Sequence, residues 1–148
     1  MNKIMRTPRR APKASPDELL FSLLHAARSL EKRWEDALGK AGLSGPKFGV
    51  LTHLVQAGAP LSLSECAEKM TCVRSNITQL MDRLEADGLV QRVEDPADRR
   101  TVMAALTSLG VERQAAGAQE VEKVQKEFAQ TLSGIDQTAL RRALEAIK

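Results

Sequence analysis

Apolar residues recur every three or four positions along most of this chain, the spacing that puts them on one face of an α-helix. The first such stripe follows Pro16 and stops before Gly39 and Gly42, and a second starts at Pro46 and stops at residues 58–60. The first stripe consists of Leu19, Leu20, Leu23, Leu24, Ala27, Leu30, Trp34 and Leu38. Because proline suits the first turn of a helix and glycine its end, the pattern predicts two amphipathic helices.

Two shorter helices are predicted next, separated by only a few residues. Ser62 or Ser64 can cap a third helix that reaches Met70. A fourth helix runs from residue 73 or 74 to residue 87 and ends at Gly88.

Short β-prone segments replace the helical pattern at residues 89–93 and 101–106, and residues 94–100 between them are rich in turn formers. This arrangement predicts a β-hairpin. Beyond Thr107 two further helical stripes follow, made of Val121, Val124, Phe128 and Leu132, and then of Ile135, Leu140, Leu144 and Ile147. The expected fold class is therefore mainly α, with about six helices and one β-hairpin.

Composition agrees with one mainly helical domain over residues 17–148. Of the 148 residues, 43% are hydrophobic but only 3% are aromatic, and tyrosine is absent, a balance that suits packed helices. The sequence has no apolar run of membrane-spanning length and no signal-peptide stretch, so we expect a cytoplasmic protein with no membrane partner.

Neither a metal site nor an active site is expected. The two cysteines and two histidines are too scattered for a zinc-ligand set; they are His25, His53, Cys66 and Cys72. We find no serine–histidine–acid set, no phosphate-binding glycine loop and no paired carboxylates in a predicted cleft. The sequence therefore predicts no enzymatic activity, no catalytic residue, no metal and no cofactor.

The net charge of +3 hides an uneven distribution. Five of the 22 basic residues and none of the 19 acidic residues lie in residues 1–16, so the rest of the chain is slightly acidic. Residues 1–16 also contain three prolines and predict a disordered basic arm. The arm can follow a DNA backbone and add salt-dependent affinity, or it can be a solvated tail.

The third and fourth predicted helices carry the pattern of a helix-turn-helix. Ala67 suits the close helix contact, and the inward positions are Cys66, Met70, Cys72, Ile77 and Leu80. The outward-facing residues are Arg74, Ser75, Thr78, Gln79 and Arg83, and together with Thr71 and Asn76 they are the candidate DNA contacts. Arginine can bond a guanine edge, and asparagine or glutamine an adenine edge. For residues 61–88 alone, the alternative is an ordinary helical hairpin with a solvated polar face.

The predicted hairpin adds Asp98, Arg99 and Arg100 to the candidate DNA contacts. Strand residues two apart project to the same side, so Asp98 is expected to hold the guanidinium of Arg100. An arginine at a hairpin tip suits a narrow minor groove, where the negative potential is strongest. The alternative interpretation is an ordinary surface salt bridge in a turn. The recognition-type helix that comes just before the hairpin argues against this alternative.

Five segments make this chain resemble the MarR family of winged helix-turn-helix regulators. They are LSGPKFGVL at 43–51, LSECAE at 63–68, DRLEADGLV at 82–90, DPADRR at 95–100 and the following Leu106-Thr107. The resemblance implies an intertwined homodimer, with residues 17–58 and 107–148 as dimerisation helices and residues 61–106 as the winged helix-turn-helix. It further implies a pseudo-palindromic operator in double-stranded DNA and a repressor that a small aromatic or acidic ligand releases.

Two residues depart from the family pattern at the start of the recognition helix. Thr71 stands where glycine is common, and Val73 replaces the usual serine cap. Thr71 is then the expected cap, and the helix begins slightly earlier.

Candidate effector contacts are Arg28, Trp34 and His53, which offer a cation and an apolar wall for an aromatic acid. The alternatives are a core tryptophan and a structural histidine. A cysteine-based redox switch of the same fold is a second hypothesis, because Cys72 stands at a helix start and Cys66 could resolve it. Both cysteines also suit apolar core positions. A winged fold that has lost DNA binding is a third hypothesis, and the retained outward arginines argue against it.

Overall fold

The computed structural model describes residues 13–70 and 74–148, and for Arg74 and Ser75 it describes the backbone alone. Most of the predicted basic arm lies outside the described residues, as do Thr71, Cys72 and Val73. The chain divides into two units, which are residues 1–32 and residues 33–148. The described part of the first unit is the start of a long helix, and the elements after that helix belong to the second unit.

Six helices and three strands are present in the described part of the chain. In order they are α1 Pro16–Gly39, α2 Gly45–Ala57, β1 Leu61–Ser62, α3 Leu63–Lys69, α4 Arg74–Ala86, β2 Val90–Glu94, β3 Val102–Leu106, α5 Ser108–Thr131 and α6 Gln137–Glu145. The predicted mainly α fold with a β-hairpin is confirmed, and each hairpin strand begins one residue later than predicted. None of the helices described combines the length and apolarity that crossing a bilayer demands.

The sheet has the strand order β1-β3-β2, and both pairs are antiparallel. Ala104, in the middle of the central strand, lies opposite Leu61 of β1 and Arg92 of β2. The two-residue strand β1 was not predicted. It ties the start of the helix-turn-helix to the hairpin that follows it.

Reciprocal side-chain caps fix where two of the helices begin. At α1 the Ser15 amide donates to the Glu18 carboxylate at 2.9 Å, and the Glu18 amide donates to the Ser15 hydroxyl at 3.2 Å. Ser62 and Glu65 make the same pair of bonds at α3, at 2.7 and 3.1 Å, which selects Ser62 rather than Ser64 as the cap. The hydrogen bond from the Ser62 amide favours the ionised carboxylate and lowers the pKa of Glu65.

The core of the second unit draws buried residues from every described element except α6. They include Leu38, Val50, Leu51, Leu54, Leu61, Cys66, Ile77, Met81, Leu84, Val90, Ala104 and Val121. Of the predicted inward residues of the helix-turn-helix, Cys66 and Ile77 are buried, and so is Ala67, the predicted close helix contact. Met70 and Leu80 are partly buried and pack against the same cluster. Cys72 lies outside the described residues.

The start of α5 lies against the backbone that follows α4. The Thr107 hydroxyl donates to the Gly88 carbonyl at 2.6 Å and accepts from the Gly110 amide at 3.0 Å. A Cβ atom on Gly110 would lie 2.0 Å from the carbonyl oxygen of Leu89. Only glycine therefore permits α5 to pack this closely beside the hairpin.

The substitution Gly110→Ala is expected to lower the free energy of unfolding by about 3 kcal/mol, because the clash is with backbone that cannot rotate away. Urea denaturation followed by circular dichroism measures this loss. Gly39→Ala is the matched control, since no atom lies within 4 Å of the added Cβ atom. Equal stability of the two variants would contradict the close packing described here.

Candidate nucleic-acid interface

The helix α4 has one face in the core and one face in solvent. Ile77, Met81 and Leu84 are at most 1% exposed, so the rotation of the helix about its axis is fixed. The residues exposed on the remaining surface include Asn76, Thr78, Gln79 and Arg83. These are four of the predicted DNA contacts. The Thr71 prediction and the side chains of Arg74 and Ser75 lie outside what the structure describes.

Two cations, Lys47 and Arg92, make three ion pairs with carboxylates at the second half of α4 and just beyond its end. Lys47 of α2 reaches Asp87, just beyond the helix end, with an Nζ–Oδ2 distance of 2.5 Å. Arg92 of β2 donates from Nη2 to Asp82 at 2.5 Å and from Nη1 to Glu85 at 2.6 Å. The hydrogen bond to Asp82 raises the pKa of Arg92, because it stabilises the protonated guanidinium.

An open cavity of about 360 Å³ lies beside the exposed face of α4. Its lining consists of Pro46, Met70, Asn76, Gln79, Leu80 and Arg83. Three predicted DNA contacts thus share one concave surface, in which polar side chains of α4 stand beside apolar ones. A surface of this kind can take a base edge together with its methyl or ring carbons.

The tip of the hairpin is ordered by hydrogen bonds to the backbone. Asp98 accepts from the Arg100 amide at 3.0 Å and from the Thr101 hydroxyl at 3.3 Å. The predicted bond from Asp98 to the Arg100 guanidinium is therefore wrong, because the carboxylate caps the turn instead. Arg99 and Arg100 are exposed, and neither takes part in the ion pairs found among the described residues.

The predicted effector residues are divided between the two units of the chain. Trp34 is partly buried and meets the Phe48 ring edge-on, with 6.4 Å between ring centroids and 75° between planes. It also packs against the core cluster, as the alternative prediction has it. Arg28 is exposed on the first unit, and His53 is partly buried on α2 in the second.

A cavity that the sequence did not reveal lies elsewhere in the second unit. It has a volume of about 430 Å³ and is lined by Leu54, Val55, Gly58, Ala59, Pro60, Ala105, Leu106 and Val111. These residues come from the end of α2, the loop 58–60 that follows it, the end of β3 and the start of α5. No periodicity connects them, so a spacing argument could not have found the cavity.

The proposed resolving cysteine of the redox hypothesis, Cys66, is not accessible to solvent. Cys66 is only 1% exposed and belongs to the core cluster, where it acts as a small apolar side chain. The proposed attacking thiol, Cys72, lies outside the described residues. No observation on the described residues favours cysteine chemistry.

A family model described as the MarR family matches residues 43–102. The HTH-type transcriptional regulator PrsX of Escherichia coli is 34% identical over 115 residues, which cover 75% of this chain and 69% of PrsX. YsmB of Bacillus subtilis, an uncharacterized HTH-type transcriptional regulator, is 36% identical over 81 residues, 55% of each protein. This chain thus spans little more than half the length of YsmB.

Solved structures extend the similarity to the flanking helices. AbsC, a MarR family transcriptional regulator from Streptomyces coelicolor, superposes with a TM-score of 0.77 at 26% identity over 92% of this chain and 95% of AbsC. CouR from Rhodococcus jostii RHA1, solved with p-coumaroyl-CoA bound, gives a TM-score of 0.71 at 25% identity. That match covers 92% of this chain and 93% of CouR.

Proposed function

This chain belongs to the MarR family, and from that membership we propose that it is a transcription regulator that binds double-stranded DNA sequence-specifically. The observation that carries the proposal is the placement of Asn76, Gln79 and Arg83 on the open side of α4, which the core holds from the other side. Helix α4 then enters the major groove with these residues toward the base edges.

The side chains on α4 suit different parts of the DNA. Gln79 and Asn76 can bond the donor and acceptor of adenine, and Arg83 the two acceptors of guanine. We propose that phosphates or neighbouring bases are contacted by Arg74, Ser75 and Thr78. Thr71 is proposed to cap the start of the recognition helix. Phosphate contacts set the position of the helix, and base contacts set the specificity.

The hairpin β2–β3 serves as the wing. Arg99 and Arg100 extend from its tip without an acidic partner among the described residues, so both are available to a minor groove. Asp98 supports them indirectly, because its bond to the Arg100 amide holds the turn that carries them. The basic arm of residues 1–16 adds a further phosphate contact in this proposal.

The operator is proposed to be pseudo-palindromic, because the exposed apolar surface predicts a homodimer. In the first unit, Leu19, Leu20 and Phe21 are 55–69% exposed. In the second, an open groove between the end of α5 and α6 is lined by apolar side chains that include Phe128, Leu132, Leu140 and Leu144. Apolar surface of this extent is typical of a protein–protein interface, and a second copy would cover it.

The cavity of about 430 Å³ is our proposed effector site. Its size lies in the range of small-molecule pockets, and its lining is apolar, so it suits the ring of an aromatic ligand. The acidic group of such a ligand would face the opening. We propose a repressor that the ligand releases, acting in the cytoplasm on DNA and without enzymatic activity. The p-coumaroyl-CoA bound by CouR carries an aromatic ring, which supports an aromatic ligand.

Removal of one reading contact should weaken operator binding without unfolding the protein. Gln79→Ala and Arg100→Ala are each expected to reduce the affinity for a selected operator by about 1 to 3 kcal/mol, because each removes base-edge or groove contacts. Fluorescence anisotropy with a labelled duplex measures this. Lys126→Ala, which removes an exposed cation from α5, is the control. Operator affinity equal to wild type in both variants would rule out the proposed reading surface.

Placing a charge in the apolar groove should dissociate the dimer. Leu144→Glu is expected to shift the protein from dimer to monomer at micromolar concentration, because an ionised carboxylate is costly to bury. Analytical ultracentrifugation measures the mass. Val102→Glu is the control, since Val102 is an exposed apolar residue of similar exposure, 44% against 40%, on the wing strand. A monomeric wild-type protein would contradict the proposal.

Filling the proposed effector cavity should abolish the ligand response while DNA binding persists. Val111→Trp is expected to make operator affinity insensitive to an added aromatic acid such as 4-hydroxycinnamate, because the indole would occupy the cavity. Leu109→Trp, at an exposed position of α5 outside the lining, is the control. Anisotropy titrations with and without the acid compare the three proteins. A retained response in Val111→Trp would exclude this cavity as the site.

A further inference from the structure

Arg92 lies in the middle of β2 on the side of the hairpin that faces the core. It pairs with Ala104, which is fully buried, and residues directly opposite in an antiparallel pair project to the same side. Val90, two residues earlier on the same side, is also buried. The Arg92 side chain therefore leaves the hairpin at the border of the core, where it is 31% exposed.

A single guanidinium joins the wing to α4 at two points. One nitrogen donates to Asp82 and the other to Glu85, at 2.5 and 2.6 Å. The two acceptors are three positions apart on the helix, so they lie on one side of it, about one turn apart. A planar fork with two donors can bridge both carboxylates, whereas the point charge of a lysine cannot hold the same geometry.

This contact joins the two elements that carry the proposed DNA surface. Gln79 and Arg83 stand on α4, which carries both acceptors, and Arg99 and Arg100 stand at the tip of the hairpin, which carries the donor. An exposed ion pair contributes little to the free energy of folding. Its effect on binding can be larger, because two contact surfaces held in the right relation bind more tightly than two that must first be ordered.

We propose that Arg92 is a positioning residue for operator binding, which holds the wing relative to α4 so that both surfaces reach the DNA together. The inference rests on the proposed function, since it requires both surfaces to contact DNA. Arg92 itself contacts no base in this scheme. Its guanidinium acts through the position of Arg99 and Arg100.

The test uses a duplex that the wild-type protein selects from random-sequence DNA, and a random-sequence duplex of equal length for comparison. Arg92→Lys keeps the charge and should weaken binding to the selected duplex about tenfold, while binding to the random duplex changes less than about twofold. The decisive measurement repeats the substitution in the Arg99→Ala/Arg100→Ala background. There Arg92→Lys should cause less than about a twofold further loss, because the wing has no arginine left to position.

A second variant breaks the same contact from the helix side. Asp82→Asn together with Glu85→Gln should also lower the ratio of selected to random affinity, although it removes two negative charges near the DNA. Arg33→Lys is the matched control, because Arg33 pairs with Glu127 outside the winged segment. The melting temperature of each variant shows whether it folds. If Arg92→Lys fails to fold, the variant Asp82→Asn/Glu85→Gln tests the inference in its place.

The outcomes separate this inference from the proposed function. If no duplex is selected, or if Arg99→Ala/Arg100→Ala binds like wild type, the proposed function fails and the inference fails with it. If the wing variant is weakened but Arg92→Lys binds like wild type, the inference alone is wrong. An equal loss from Arg92→Lys with and without the wing arginines would also overturn it, because Arg92 would then act independently of the wing.

Discussion

The burial of one side of α4 is the constraint on which the proposed DNA surface depends. Ile77, Met81 and Leu84 occupy the centre of the second unit and are at most 1% exposed. A helix held by three buried side chains over two turns cannot rotate without opening the core. The side of α4 on which Gln79 and Arg83 stand is thus set by apolar packing on the opposite side.

The central strand β3 connects the helix-turn-helix to the hairpin, because it pairs with a strand on each side. Ala104 is fully buried and pairs with both β1, which precedes α3, and β2, which carries Arg92. Ala104 belongs to the same core cluster as Leu61 of β1, Val90 of β2 and buried side chains of the helices, so a small residue suits this position. The close approach of Gly110 to Leu89 then places the start of α5 directly beside the hairpin.

Much of the fold could be predicted from the sequence because its signals are local. Helical spacing, proline and glycine limits and the turn-rich segment 94–100 each depend on neighbours within a few residues. The choice of Ser62 over Ser64 depended on the bond to Glu65, which spacing alone left open. Strand β1 was missed because two residues have no periodicity, and its existence depends on pairing with a strand about forty positions later.

The functional details that could not be predicted arise from contacts between segments or from competition for one group. The spacing of Asp98 and Arg100 would allow the carboxylate to bind the guanidinium. The carboxylate instead accepts a hydrogen bond from the Arg100 backbone amide, because that bond leaves the long arginine side chain free and so costs less side-chain entropy. No sequence pattern pointed to the role of Arg92, because its two acceptors lie seven and ten residues away on another element.

The proposed effector cavity and the Arg92 contact are linked through the same hairpin. Ala105 and Leu106 line the cavity from β3, and β3 pairs along its length with β2. A ligand changes DNA affinity only as far as it binds one arrangement of the protein better than another. A ligand that displaces the end of β3 would displace β2 with it, and the geometry of Arg92 against Asp82 and Glu85 would change. The strand pair thus connects the lining of the proposed effector cavity to the Arg92 contact.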